Sequence, residues 1–207
     1  NTHTYIFLDD VLTQTGEGYP NNWGHAGADY AMDPDVVNNP AYSGTIKDDL
    51  KSVPTLSLVM DPDDMFKSGQ GIYLQGESIE RAVSAEWIQP DGSEGFQVDA
   101  AVQIQGGYST TRWVLDKLSM RLKFKRPFGP SQLEYRLFDD SQVDRFNTLI
   151  LDATFNSGWA SDPKMAQYIK DQFVADLQQA TGGYSHHNKF AHLYINGLYW
   201  GMYGIHE

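Results

Sequence analysis

Residues 96–105 alternate in step: Phe96, Val98, Ala100, Val102 and Ile104 interleave with Gln97, Asp99, Ala101, Gln103 and Gln105. A period of two places the first set on one face of a strand and the second on the other, so this stretch packs as a β-strand with one apolar side. Val83, Ala85 and Trp87 repeat the pattern just upstream, and Pro90-Asp91-Gly92-Ser93 between the two runs supplies turn residues. The pair reads as an antiparallel hairpin. The rest of the chain must cover its apolar face.

Further strands follow the same rule. From Val53, Leu56, Leu58 and Met60 alternate with Thr55, Ser57 and Val59, and Asp61-Pro62-Asp63-Asp64 closes that strand with a turn or a helix start. Leu118, Met120, Leu122 and Phe124 alternate with Ser119, Arg121, Lys123 and Lys125, which predicts that the basic residues share a face. Phe146 to Leu151 is a short run of buried-strand type. At the carboxyl end, Asn196-Gly197 separates two strand-like runs, a strong short-range hairpin signal.

One helix is predicted, from Pro163 to Ala180. Asp162-Pro163 opens it, Met165, Tyr168, Ile169, Phe173, Val174 and Leu177 recur at three- and four-residue steps, and Gly182-Gly183 ends it. Residues 1–52 are rich in breakers and read as an extended arm lying on the body, anchored by Tyr5, Ile6, Phe7, Trp23, Tyr30 and Tyr42. The expected fold class is therefore α+β: an antiparallel β-sheet with one main amphipathic helix on one face, preceded by the arm at 1–52, with the body at 53–207.

Composition narrows the chemistry. The 207 residues carry 27 acids against 15 bases, a net charge of −12, and no Cys, which excludes disulfides, thiol nucleophiles and Cys-ligated zinc. The acidity is local, with seventeen acids against four bases over residues 1–99. Arg112, Lys117, Arg121, Lys123, Lys125 and Arg126 instead stand close together with Asp116 as the only acid among them. That cluster reads either as the solvated face of a protected edge strand or as a place to attract phosphate. Nucleic acid is not an expected partner of so anionic a body. No apolar run approaches the roughly 18 residues needed to span a membrane, so no membrane insertion is expected. The chain begins Asn1-Thr2-His3 without Met and reads as a processed product or an excised segment.

Motifs for nucleophilic catalysis are missing: no G-x-S-x-G elbow occurs, and His186, His187 and His192 lack metal-ligand spacing, so they read as surface or satisfied histidines. Asp61, Asp63 and Asp64 suit a helix start better than a calcium loop. A glycosidase acid pair has no pointer in the sequence. What remains is Gly106-Gly107, followed ten to fifteen residues later by outward cations. Backbone N–H groups and cationic side chains converging on one spot suit a polyphosphate.

Several segments together resemble the spore-coat protein H (CotH) kinase family: Thr4 to Leu12, Pro54 to Phe66, Gly71-Ile72-Tyr73, Ile104 to Ser109, Gly129 to Tyr135, and Leu193 to Tyr203. The resemblance implies an ATP-dependent protein kinase, secreted or at a bacterial cell surface, with the amino-terminal lobe of a two-lobed atypical kinase-like fold. It implies that Gly106, Gly107 and Ser109 lie over nucleotide phosphates and that Lys117 or Arg121 contacts them. The helix from Pro163 would act as the regulatory helix, with Asp171 as an ion-pair partner, and Glu207 would open the hinge. ATP and Mg²⁺ are the implied cofactors. The catalytic and metal-holding carboxylates belong to a carboxyl-terminal lobe expected beyond Glu207, so no catalytic or metal-ligating residue is assigned within the chain. The sequence departs from relatives in carrying Tyr108-Ser109-Thr110 and Lys117-Leu118-Ser119-Met120-Arg121 where a loop Arg and a second Lys are common. The protein substrate is not legible. The alternative is a noncatalytic surface module that binds a protein or glycan.

Overall fold

A computed structural model describes residues 3–23, 27–75, 79–107, 110, 116–155, 157–158 and 164–207. Seven strands close into a barrel in the order β1 (Thr55–Val59), β2 (Arg81–Ile88), β3 (Phe96–Ile104), β4 (Met120–Lys123), β7 (Thr148–Asp152), β9 (Leu198–His206) and β8 (Asn188–Ile195). The short strands β5 (Leu133–Glu134) and β6 (Arg145–Phe146) form a separate pair. Neighbours in the barrel run antiparallel except β8 and β1, whose parallel pairing, with Leu56 opposite Leu193, closes it.

The open α+β sheet with a main amphipathic helix, expected by analogy with a kinase amino-terminal lobe, is thus corrected to a closed barrel with a few short helices. Closure satisfies both edges of the sheet, which an open sheet leaves unpaired. β1 is buried on both faces, the inner one by the barrel and the outer one by the amino-terminal segment. Leu56 and Leu58 point into the barrel, while Ser57 on the other face accepts a 2.8 Å hydrogen bond from the Thr4 hydroxyl of the amino-terminal segment.

Alternation sets the interior. Leu58, Val83, Ala85, Val102, Met120, Leu122, Leu149, Leu151, Leu193 and Ile205 meet inside as cross-strand neighbours. Both predicted hairpins are present. The Asn196-Gly197 turn has φ of 50° and 85°, the two positive values a two-residue hairpin of this hand requires.

Residues 3–52 include three short helices, α1 (Leu8–Leu12), α2 (Pro34–Val37) and α3 (Ile46–Asp49), rather than a plain extended arm. Two of its aromatics complete the core: Trp23 and Tyr30 are buried with Phe66, Tyr73 and Trp200. Ring centroids of 5.3 to 5.6 Å separate Trp23 from Tyr30, Tyr73 and Trp200. Tyr5, Phe7 and Tyr42, expected as anchors, are exposed. Gln14 fastens the segment to β9: its side-chain oxygen accepts from Tyr199 N–H at 2.8 Å and its nitrogen donates to Tyr199 C=O at 3.0 Å.

After β1 come α4 (Pro62–Phe66) and α5 (Ile72–Gln75), and the Asp61 side chain caps α4 by accepting from Asp63 N–H at 2.9 Å. The last helix, α6, spans Lys170–Ala180. The Asp162-Pro163 start expected for it lies outside the described residues, but residues 164–169, expected to be helical, form turns and irregular backbone, so the helix begins later than the apolar period suggests. Its end follows expectation, with Gly182 at φ 82° and Gly183 N–H bonded to Gln178 C=O at 2.9 Å. Its orientation does not. Ala175 is buried, with Gln172 and Gln179 half-buried beside it, while Phe173 is 64% and Leu177 54% exposed. The helix rests on its polar side, because the barrel wall facing it is polar. No described helix is long and apolar enough to cross a membrane.

Candidate functional site

The loop after β3 starts where Gln105 N–H bonds to Ser119 C=O at 2.9 Å. Gly106 has φ of 111°, a value that side-chain-bearing residues rarely adopt, so glycine is required there. Gly107 is exposed, and a Cβ on it would meet nothing within 4 Å. Ser109, the third phosphate-facing candidate, lies outside the described residues, as does Arg112.

The basic residues of this region separate into three groups. Lys123 and Lys125 are both bound by Glu80, at 2.7 and 2.5 Å, and those two bonds hold the Glu80 carboxyl below the usual range. They are neutralised within the protein. Lys117 leaves the strand face altogether: its Nζ sits 5.3 Å from the Trp200 ring centroid, against the aromatic cluster. Burial lowers its pKa, with the Asp29 carboxylate opposing part of that effect. Arg121 lies on the outer wall of the barrel, between Gln103 of β3 and Ile150 of β7. Its Nε is buried without a hydrogen-bond partner. The structure therefore does not bring Lys117 and Arg121 together, and Arg121 is the one adjoining the outer wall.

On that wall, starting one strand from Arg121 at β7, a cavity of about 220 Å³ opens between the barrel and α6. Asp152 of β7, Asn188 of β8, His206 of β9, His186 of the preceding loop, and Asp171 and Gln172 of α6 line it. Period-two alternation brings the strand residues there: Ile150 is opposite His206, which is opposite Asn188. Asp152 is tied down, its Oδ1 accepting from the Ser119 hydroxyl at 3.2 Å and from Thr154 N–H at 2.9 Å. His206 Nδ1 lies 3.3 Å from Glu207 C=O. A carbonyl can only accept, so Nδ1 carries the proton and Nε2 keeps its lone pair. Burial pushes His206 below the ordinary histidine pKa. The oxygens Asn188 Oδ1 and Gln172 Oε1 are buried without partners. Among the described residues the lining carries no Lys or Arg.

Glu207, the expected hinge residue, is held by the loop before β8: its Oε1 lies 2.8 Å from His187 Nδ1 and accepts from His187 N–H at 3.2 Å. Asp171 lines the cavity and makes no ion pair among the described residues. A broader groove between residues 18–22 and α4 carries Asp63 and Lys67, which neutralise each other at 2.7 Å.

A family model described as CotH kinase protein matches residues 102–207. The chain belongs to the CotH kinase family. No curated protein matches it. The matched stretch runs from the end of β3 through β9, so it contains Gly106, Gly107, Ser109, Lys117, Arg121, Glu207 and the whole cavity beneath α6, while β1, β2 and the amino-terminal segment precede it.

Within this CotH chain the cavity-lining Asp152, Asn188 and His206 were not singled out by sequence reasoning. The signal that finds them is parity: Ile150 and Asp152, Asn188 and Phe190, and Gly204 and His206 share the outward phase of their strands. Gly204 matters for a steric reason, since a Cβ there would stand 2.8 Å from Asn188 Oδ1. Among the described residues, no three acidic or imidazole side chains form a ready-made metal-ligand set.

Proposed function

We propose that this chain is the nucleotide-binding part of a CotH-type protein kinase, one that transfers the γ-phosphoryl group of ATP to a hydroxyl of a secreted or cell-surface protein. Arg121 would hold the phosphates together with the backbone at Gly106, and a second wall outside residues 1–207 would bring the carboxylates that bind Mg²⁺ and orient the attacking hydroxyl. One observation carries the reading: inside the family-matched region, Lys123 and Lys125 are neutralised by Glu80, while Arg121 retains an unpartnered buried N–H. A guanidinium so placed fits a phosphate oxygen.

The test is a thermal-shift titration with ATP. Binding confined to the folded state stabilises it by about 2.7 kcal/mol at a hundred times the dissociation constant. Arg121→Ala should abolish the shift and Lys117→Ala should leave most of it. Absence of any ATP-dependent shift in the unmodified chain defeats the nucleotide reading. With labelled ATP, the chain alone should show no transfer, and transfer abolished by Arg121→Ala would show that the catalytic groups lie within it.

A second reading, a noncatalytic module that docks a protein or glycan, draws on the exposed apolar side of α6. Partner binding that is indifferent to ATP and to Arg121→Ala would favour it.

A further inference from the structure

The cavity beneath α6 has a donor set unlike that of the phosphate-facing wall. The His186 and His206 rings stand 4.7 Å apart at a tilt of 40°. With metal–nitrogen bonds of 2.0–2.1 Å, two imidazoles sharing one tetrahedral ion place their rings about 5 Å apart. His206 already has the arrangement that prepares an imidazole for a metal, with Nδ1–H spent on the Glu207 carbonyl and the Nε2 lone pair left over. An independent sign comes from Asn188 Oδ1 and Gln172 Oε1, buried acceptors with no donor. The orientation of Gln172 is set by its amide nitrogen, which donates to Asp176, so the oxygen is the atom left toward the cavity.

We propose that this cavity binds a divalent transition-metal ion of the zinc class through His186 and His206, with metal-bound water completing the shell and Asp171 of α6 accepting a hydrogen bond from that water. Because three ligands are not prearranged, water supplies the remaining positions, and its protons satisfy Asn188 Oδ1 and Gln172 Oε1. A mixed nitrogen and oxygen set of this kind selects zinc-class ions over Mg²⁺, which prefers oxygen alone. The ion would join β9 and the loop before β8 to α6, a helix whose apolar side gives it no hold on the barrel. This site is separate from the proposed phosphate contact at Arg121 and survives if the kinase reading fails.

Isothermal titration of the tag-free chain with zinc chloride tests it, with magnesium chloride as the counter-probe and circular dichroism to verify folding of each variant. Zinc should bind at one equivalent, and His186→Ala, in a loop rather than a strand, should weaken binding at least about tenfold. Asp171→Asn should weaken it less, and His3→Ala, at the far exposed end, should change nothing. Hydrogen exchange of residues 170–180 should slow when zinc is added. No zinc binding, binding unaffected by His186→Ala, binding lost in His3→Ala, or equal affinity for magnesium would each overturn the proposal.

Discussion

The amino-terminal segment and α6 differ in whether their apolar residues find a partner. Residues 3–52 are acidic and broken by Gly, Pro and Asn, yet Trp23 and Tyr30 are among the buried aromatics that fill the barrel end. Helix α6 has the clearest three- and four-residue apolar repeat, yet Ile169, Phe173, Val174 and Leu177 face outward. Apolar periodicity records which residues need a partner, and only the surrounding fold says whether the partner is there. An isolated helix shorter than about 12–15 residues is marginal in water, so α6 depends on contacts made by its polar side.

The sharpest way to break the comparison is to truncate one aromatic in each region. Trp23→Ala should cost about 3–5 kcal/mol, since it empties a cluster closed by Tyr30, Tyr73 and Trp200. Phe173→Ala should stay within about 0.5 kcal/mol. Thermal unfolding reads both, and similar losses would show that α6 is packed after all.

A smaller effect concerns the clasp between the amino-terminal segment and the barrel. His192 lies 3.2 Å through Nε2 from Asp49 C=O and 3.1 Å through Nδ1 from the Tyr199 hydroxyl. Nε2 therefore carries the proton, and Nδ1 accepts from Tyr199. Burial lowers the His192 pKa, with Asp49 opposing in part. The unfolded chain then binds the proton more readily, so the contribution of His192 is complete above its unfolded pKa of about 6.5. It is lost as pH falls below that value toward the lowered folded one. Exchange of residues 46–50 should accelerate over that window in the unmodified chain and less in His192→Gln. A pH-independent exchange profile would remove the clasp from the account.

A further modest effect should come from Glu80→Gln, which frees Lys123 and Lys125. These ion pairs are partly exposed, so the stability loss should be no more than about 1 kcal/mol. The lowered Glu80 pKa means that its contribution, present above the unfolded carboxylate value, fades as pH drops through the folded one. Anion affinity should rise at the same time, measurable by the salt dependence of ATP binding. An unchanged affinity would mean that the two lysines do not face the site.

Local patterns were legible where a single segment holds the whole instruction. The β2–β3 hairpin and the Asn196-Gly197 turn follow from alternation and from residues that accept positive φ. The Gly106 requirement was legible too. Closure was not, because the pairing of β1 with β8 joins residues far apart in the chain, and no local period encodes a neighbour at that distance. The same limit applies to the cations: alternation placed Arg121, Lys123 and Lys125 on one face, but not the Glu80 carboxylate that neutralises two of them.

By itself the sequence determined the strands, their inward and outward faces, the two hairpins and the family, since each depends on side chains within one short window or one ordered set of motifs. Tertiary structure alone decided that the sheet closes, that of the expected anchors Trp23 and Tyr30 enter the core while Tyr5, Phe7 and Tyr42 stay exposed, that α6 turns its apolar side out, and that Arg121 rather than Lys117 meets the outer wall. Those outcomes depend on contacts between distant segments, where burial, charge neutralisation and hydrogen-bond supply are set by whichever neighbour the fold delivers.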